Sequence, residues 1–416
     1  MAPGPGGGTA SSLRVTSEIG RLRRVICHAP GPELARVAPS NRHEYLFDDL
    51  LDLQLARREH EAFVNILRRF AHVYETADLL LDVLDIPEGR DYITARCGSE
   101  IQARSANASS EELACLLIEG EETGVGALAT LVNEPSYSLP PQPNLFFTRD
   151  SAAVVGSHVM ISAMRHEVRW TEMVLMRAIF SFHPELSSAG IVFDGASERR
   201  LNTRIEGGDV HILREDLLLV GLSERTSAAG IDALAASVFK QGGVRDIVIV
   251  LMPPHRSSIH LDMIVTMVGP GQCCVFPPFF IGPTQLPVLH QSRGADSVTQ
   301  PADLFSVLRK LSFPLAPIFC GGESRTMQER EQWGSGCNFF SVGPGQVLSY
   351  GRNEHTLAAL AREGGFRIIP GDEFLAGTAE SAADESFAIT FDGGELVRGG
   401  GGPRCMTLPV ERDEWA

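Results

Sequence analysis

Cys405 closes the run GGGGPRC (399–405), where four glycines and a proline preclude a core element and let backbone approach a ligand closely. Arg404 beside it supplies a positive charge that favours thiolate, the nucleophilic form of cysteine. The run is not a phosphate loop, because no Lys-Ser/Thr pair completes it. Cys273 and Cys274, by contrast, lie in an apolar stretch, as structural cysteines do. His260 and Asp262 in SIHLD stand two apart, so on a strand they face the same side, one a proton carrier and the other an anion. Glu206 and Asp209 flank two glycines in IEGGDV, and Asp150 ends PNLFFTRD (143–150). Taken singly, each has a structural reading: a cap for Asp150, a bulge around Gly207 and Gly208, a satisfied core histidine for His260. Together, on separate loops, they are the parts of nucleophilic catalysis with acid–base assistance. A metal site is the rival for His260 and Asp262. No Cys-x-x-Cys or His-Glu-x-x-His is present, so no metal is expected, although ligands from distant segments stay open.

Such loops need a rigid scaffold to aim them. Apolar, β-rich stretches recur at RVICHAP (24–30), SAAVVGSHVMIS (151–162), DLLLVGLS (216–223), DMIVTMV with CCVFPPF, and NFFSVGPGQVLSY (338–350). Phe339 to Val342 and Val347 to Tyr350 across GPG carry a hairpin signal. Helical patterns follow in TEMVLMRAIFSF, SAAGIDALAASVFK, ADLFSVLRKL and EHTLAALARE, and the run from Asp48 to Phe70 is the counterpart in the first unit. About five strand-plus-helix units of roughly 35 to 60 residues predict a closed cyclic α/β array. Residues 76–139 read differently. Leu79 to Leu84, Glu111 to Ile118 and Gly124 to Leu131 look helical without strand pairing, an inserted helical subdomain ending at SLPPQPN. The expected division is a flexible tail over 1–12, a catalytic domain over 13–75 and 140–416, and the insertion over 76–139.

The chain of 416 residues has 44% hydrophobic content, enough for a large core, but no run approaches the roughly 20 apolar residues of a membrane span. Eight cysteines without scaffold spacing suit a reducing cytosol. The net charge of -16 argues against nucleic acid as partner and fits a small cationic one, besides keeping the protein soluble.

In order along the chain, EIGRLRRVICHAPG, PSNRHEYLFDDL, PNLFFTRD, IEGGDV, GLSERTS, SIHLDM, REQW and PRCMTLP together resemble the arginine deiminases of the guanidino-group modifying superfamily. The resemblance implies a five-module α/β propeller, the pentein fold, with a helical insertion after the first module. It implies Cys405 as nucleophile, His260 as general acid and base, and Glu206 as its partner. Asp150 and Asp262 would hold the guanidinium. Asn144, Arg169 and Arg225 would address the amino-acid end, Phe147 would pack on the planar group, and Asp209 joins the substrate-binding set. No cofactor is implied, and assembly as a homo-oligomer is expected.

One position departs. Many relatives carry arginine five residues before the nucleophile, where this chain has Gly400. If that is a simple loss, restoring arginine should lower the Michaelis constant for L-arginine. The substrate is then either L-arginine, or a modified arginine or other guanidino compound. An amidinotransferase, in which an amine resolves the covalent intermediate, is the alternative reaction class.

Overall fold

The computed structural model describes residues 13–415, apart from 123–125, 133–136, 187–189, 198–201, 380–381 and 383. The expected flexible tail, residues 1–12, lies outside the described residues, as do Gly124 and Val125 of one expected helix.

Five sheets of three or four strands share one plan among the described residues. An antiparallel pair is followed by a helix and by a further strand that returns parallel to the second member of the pair. In the second sheet Ala152–Val155 pairs with His158–Ile161, and Gly190–Asp194 returns parallel after helix Trp170–Phe182. Val210–Arg214, Leu217–Leu222 and Asp246–Leu251 repeat this around helix Ala228–Gln241, with Val288–Ser292 added antiparallel at the edge. Val265–Gly269, Gln272–Val275 and Ala316–Phe319 form the fourth sheet. Phe340–Gly343, Gln346–Tyr350, Phe387–Phe391 and Arg367–Pro370 form the fifth. Its hairpin turns at Gly345, whose φ of 73° lies in the left-handed region that glycine enters without steric cost.

The first sheet is assembled from both ends of the chain. Strand β1 (Leu22–Cys27) pairs antiparallel with Leu408–Arg412 and parallel with β2 (His72–Glu75). Between β1 and β2 runs α1 (Leu53–Leu67), shorter than the amphipathic run from Asp48 to Phe70, because the Asp52 side chain caps it by accepting from the Leu55 N–H. The returning parallel strands are what the sequence reading lacked. In CCVFPPF only the first part is strand, since Pro277 opens a helical turn at Pro277–Phe280.

Residues 76–139 hold α2 (Thr76–Leu84), α3 (Pro87–Thr94), α4 (Ser99–Ser105), α5 (Ser110–Glu119) and α6 (Ala127–Val132). Contrary to the expectation of helices alone, β3 (Glu121–Glu122) pairs with β4 (Tyr137–Leu139). α5 starts with a reciprocal capping box between Ser109 and Glu112. The buried faces of α2, α3 and α5 (Leu80, Val83, Ile93, Leu113 and Leu117) share one core cluster with Ala178 to Phe180 of helix Trp170–Phe182. No helix of the described residues is long and apolar enough to cross a membrane.

Candidate active site

The nucleophile, histidine and carboxylates singled out in the sequence converge from four of the five sheets, from the turns that enter each sheet's antiparallel pair. Asp150 lies in the one-turn helix Thr148–Ser151 just before Ala152–Val155. Glu206 precedes the 3-10 turn Gly207–Asp209, which leads into Val210–Arg214. His260 precedes the 3-10 turn Leu261–Met263, which holds Asp262 and leads toward Val265–Gly269. That corrects the strand reading of His260 and Asp262, which converge on the site from a turn instead. Cys405 stands three residues before Leu408–Arg412. The equivalent place in the fifth sheet is Asn338, two residues before Phe340–Gly343, which residue type alone did not reveal. Its position in the repeat is the signal that could have found it.

Cys405 is buried, with Sγ 3.6 and 3.8 Å from the two Asp262 oxygens. Asn338 donates from Nδ2 to that sulfur at 3.2 Å, while its Oδ1 accepts from the Arg404 and Cys405 N–H groups at 2.9 and 3.3 Å. Arg404 is almost fully buried and is bound to Asp262 (2.9 Å) and to both oxygens of Glu18 (3.1 and 3.2 Å). Glu18 was not foreseen from the sequence. The glycine run before Cys405 is a matter of space, since a Cβ on Gly401 would lie 2.5 Å from the Phe147 ring and 3.1 Å from the Cys405 Cβ.

His260 Nε2 meets Glu206 at 2.8 Å, and its Nδ1 faces Asp150 at 3.6 Å. Glu206 also accepts from Arg225 at 3.2 Å, and Asp150 accepts from Arg169 at 2.7 Å. Arg169 is further held by Glu172 through two bonds of 2.8 and 2.9 Å. Two buried atoms are left without hydrogen bonds, Asp150 Oδ1 and Arg225 Nε. Asp209 sits behind the histidine: its carboxylate accepts from the Leu261 N–H at 2.8 Å and from Ser223 at 2.6 Å. Those two bonds engage both of its oxygens, unlike the residues that border the cavity.

Burial pushes the Cys405 thiol well above its ordinary range, and Asp262 and Asp150 add to this against the weaker pull of Arg404. Burial would discharge His260, but Asp150, the Glu206 hydrogen bond and Asp209 outweigh it and raise the imidazole to about 9. Glu206 is buried too, yet Arg225 and His260 hold it well below the usual carboxylate range. Burial raises Asp209 to about 6. At neutral pH the site therefore rests as thiol beside imidazolium. Asp150, Glu206 and His260 bring ligand atoms within 4.8 Å of one another, a spacing a metal ion could use. Arg169 and Arg225 already pair with Asp150 Oδ2 and Glu206 Oε2, and His260 Nε2 is bound to Glu206.

Asn144, Phe147, Asp150, Arg169, Arg225, His260 and Cys405 border a small cavity of about 20 Å³. Leu46, Arg256 and Gly400 line it too, and Arg256 and Gly400 also border a neighbouring cavity of about 280 Å³. Gly400 has φ 91°, and a Cβ there would lie 3.0 Å from Arg256 Nη2. A non-glycine residue at 400 would thus be strained in its backbone, and its side chain would crowd the Arg256 guanidinium already beside it. Position 400 therefore does not meet the condition of a simple loss.

The family model for arginine deiminase matches residues 43–412. Arginine deiminase of Streptococcus equi subsp. zooepidemicus is 32% identical over 97% of this chain and 98% of its own length. That of Streptococcus agalactiae serotype V is 31% identical over 97% and 98%. Among solved structures, an amidinotransferase of saxitoxin biosynthesis from Microseira wollei has a TM-score of 0.57 at 13% identity, covering 97% of this chain and 98% of that one. A dimethylarginine dimethylaminohydrolase has a TM-score of 0.50 at 14% identity, covering 93% and 99%. At these identities the structures show a shared mixed α/β fold.

Proposed function

The chain belongs to the arginine deiminase family and hydrolyses a carbon–nitrogen bond of a linear amidine, deiminating arginine; we propose that it does so through a covalent adduct on Cys405, releasing L-citrulline and ammonia. The observation that carries this reading is a sulfur 3.6 Å from Asp262 in a cavity that also holds the unpartnered Asp150 Oδ1. Each carboxylate keeps one oxygen free of arginine. Asp150 Oδ1 and Asp262 Oδ1 receive the substrate guanidinium while Arg169 and Arg404 hold the other oxygens, which sets the planar carbon before the sulfur. Phe147 packs on the plane.

Arrival of the cation offsets the two carboxylates and lets the thiol proton leave to water. The thiolate attacks the guanidinium carbon, and His260, whose Nδ1 faces the cavity, protonates the departing nitrogen as ammonia. The neutral imidazole then takes a proton from water, whose oxygen attacks the thiouronium; collapse expels the thiolate and leaves the ureido product. Glu206 keeps the imidazole oriented and charged. Arg225, with its free Nε, Asn144 and Arg256 take the amino-acid end, Arg256 supplying a cation beside Gly400. Asp209 supports the substrate set from behind His260.

We further infer the architecture, the compartment and the assembly of the chain. The five sheets of like plan, closed by pairing of the chain's two ends, favour a five-module propeller of pentein type with residues 76–139 as an inserted helical subdomain and 13–75 with 140–416 as the catalytic domain. Eight free cysteines favour the cytoplasm. Homo-oligomeric assembly is carried over from the sequence reading.

Incubation with L-arginine in heavy-oxygen water tests the activity: one labelled oxygen should enter citrulline for each ammonia released, with none from Cys405→Ala. Rapid acid quench should give a Cys405 peptide heavier by arginine less ammonia. Ornithine and a newly amidinated amine, formed without ammonia and only when an amine is added, would establish the amidinotransferase instead.

A further inference from the structure

A second cavity, of about 640 Å³, lies at the carboxyl ends of the parallel strands β1 and β2, where ligands of α/β folds commonly sit. It is bordered by α1 through Arg57, His60, Glu61 and Val64, and by α5 through Glu111, Ala114, Cys115 and Ile118. Both sets fall at intervals of three and four, so one face of each helix is turned to the space. His28 follows β1 and Glu75 ends β2, and the two are joined by a 2.7 Å hydrogen bond from His28 Nδ1. The Glu75 carboxylate also accepts from the Ala29 N–H at 3.1 and 3.2 Å.

Three side chains on this cavity are more than nine-tenths buried and still have an unsatisfied atom: His28 Nε2, Glu33 Oε2 and His60 Nε2. Buried polar atoms are rarely left so, because each forgoes its hydration. Glu33 is nonetheless held in place. Its Oε1 accepts from the Gly31 N–H at 2.6 Å, and a Cβ on Gly31 would come within 2.3 Å of Oε2. Burial alone would discharge His28, but Glu75 and Glu33 hold it protonated at about 10; its Nε2 faces Glu33 Oε1 at 3.7 Å, too long for a hydrogen bond, and makes none. Burial lowers His60 to about 4, leaving a neutral ring. The cavity thus presents an idle carboxylate oxygen and an idle cationic donor, with Arg57 and Arg68 outnumbered by five glutamates.

We propose that this cavity is a binding site, separate from the catalytic pocket, for a basic α-amino acid: its side-chain cation and α-ammonium lie toward Glu33 and the neighbouring glutamates, and its α-carboxylate toward His28 and Arg57. A ligand with two cationic groups and one anionic group matches an acidic lining that contains both signs. An apolar side-chain stem would lie on Val64, Leu81, Ala114 and Ile118.

L-lysine tests this, because it has no guanidinium and cannot be deiminated. Calorimetric titration of the full chain should show saturable binding, retained by Cys405→Ala and by the catalytic-pocket variant Asp150→Asn. It should weaken at least tenfold in Glu33→Gln and in His60→Phe, with circular dichroism confirming that the variants fold. Cadaverine, which lacks the carboxylate, and norleucine, which lacks the side-chain cation, should each bind at least tenfold more weakly. Binding abolished by Asp150→Asn, binding indifferent to Glu33→Gln and His60→Phe, or no heat with folded wild type would each overturn the proposal. Citrulline formation is measured separately, so loss of either finding leaves the other standing.

Discussion

Replacing Asp262 with asparagine should make Cys405 more reactive toward an alkylating agent while making the enzyme worse. The Asp262 carboxylate stands 3.6 Å from the sulfur. At an effective dielectric of about 20, a unit charge at that distance contributes about 5 kcal/mol against ionising the thiol, or about 3 pH units at about 1.4 kcal/mol each. Losing it also releases part of the Arg404 charge, which acts in the same direction. The assay is iodoacetamide alkylation of the folded protein across pH, followed on the Cys405 peptide by mass spectrometry. Exposed Cys115, whose thiol is held up by its hydrogen bond to Glu119, serves as an internal standard. Wild-type labelling should still be rising at the most alkaline pH the fold survives, and the variant's midpoint should lie well below that of wild type. Deimination should nevertheless fall by about two to three orders of magnitude, because the guanidinium loses half of its carboxylate clamp. A midpoint unchanged or raised in a folded Asp262→Asn protein would refute the electrostatic account of the resting thiol.

Glu206→Gln should shift the basic limb of kcat/KM toward acid by about 1 to 2 pH units, since loss of an anion bound to His260 lowers an imidazole now held at about 9; an unmoved profile would deny the pair its role. Arg404→Met should cost about 3 to 5 kcal/mol of stability at neutral pH by stranding Glu18 and Asp262, as read by thermal or denaturant unfolding. Because Arg404 holds Glu18 far below its ordinary 4.5, that contribution is present above pH 4.5 and fades as pH falls below it, so wild type and variant should converge in acid. Gly400→Arg should raise rather than lower the Michaelis constant for L-arginine, because the new side chain meets Arg256 from a backbone at φ 91°. Arg256→Gln should raise that constant about tenfold for L-arginine and much less for its decarboxylated analogue; equal effects on both would remove Arg256 from the carboxylate end.

The amino-acid sequence by itself determined the parts list. Strand and helix periods come from local alternation of apolar residues, so the hairpins around Gly156 and Gly345 and the helices Trp170–Phe182 and Glu354–Gly364 could be read before any contact was known. Loop chemistry is local too, which is why Cys405, His260, Glu206, Asp150 and Asp262 stood out. What only the tertiary structure decided is who faces whom. The returning strands such as His72–Glu75 and Arg367–Pro370 are short and depend on parallel partners that their own residues do not name. Asn338 and Glu18 are ordinary in type, and they matter because folding delivers them to the sulfur and to Arg404. The same holds at position 400, where the sequence registers a missing arginine and the fold sets Arg256 against the gap. Electrostatic coupling falls with distance in space and with the water excluded between charges. Neither quantity exists until a chain with its first and last strands paired has closed around the site.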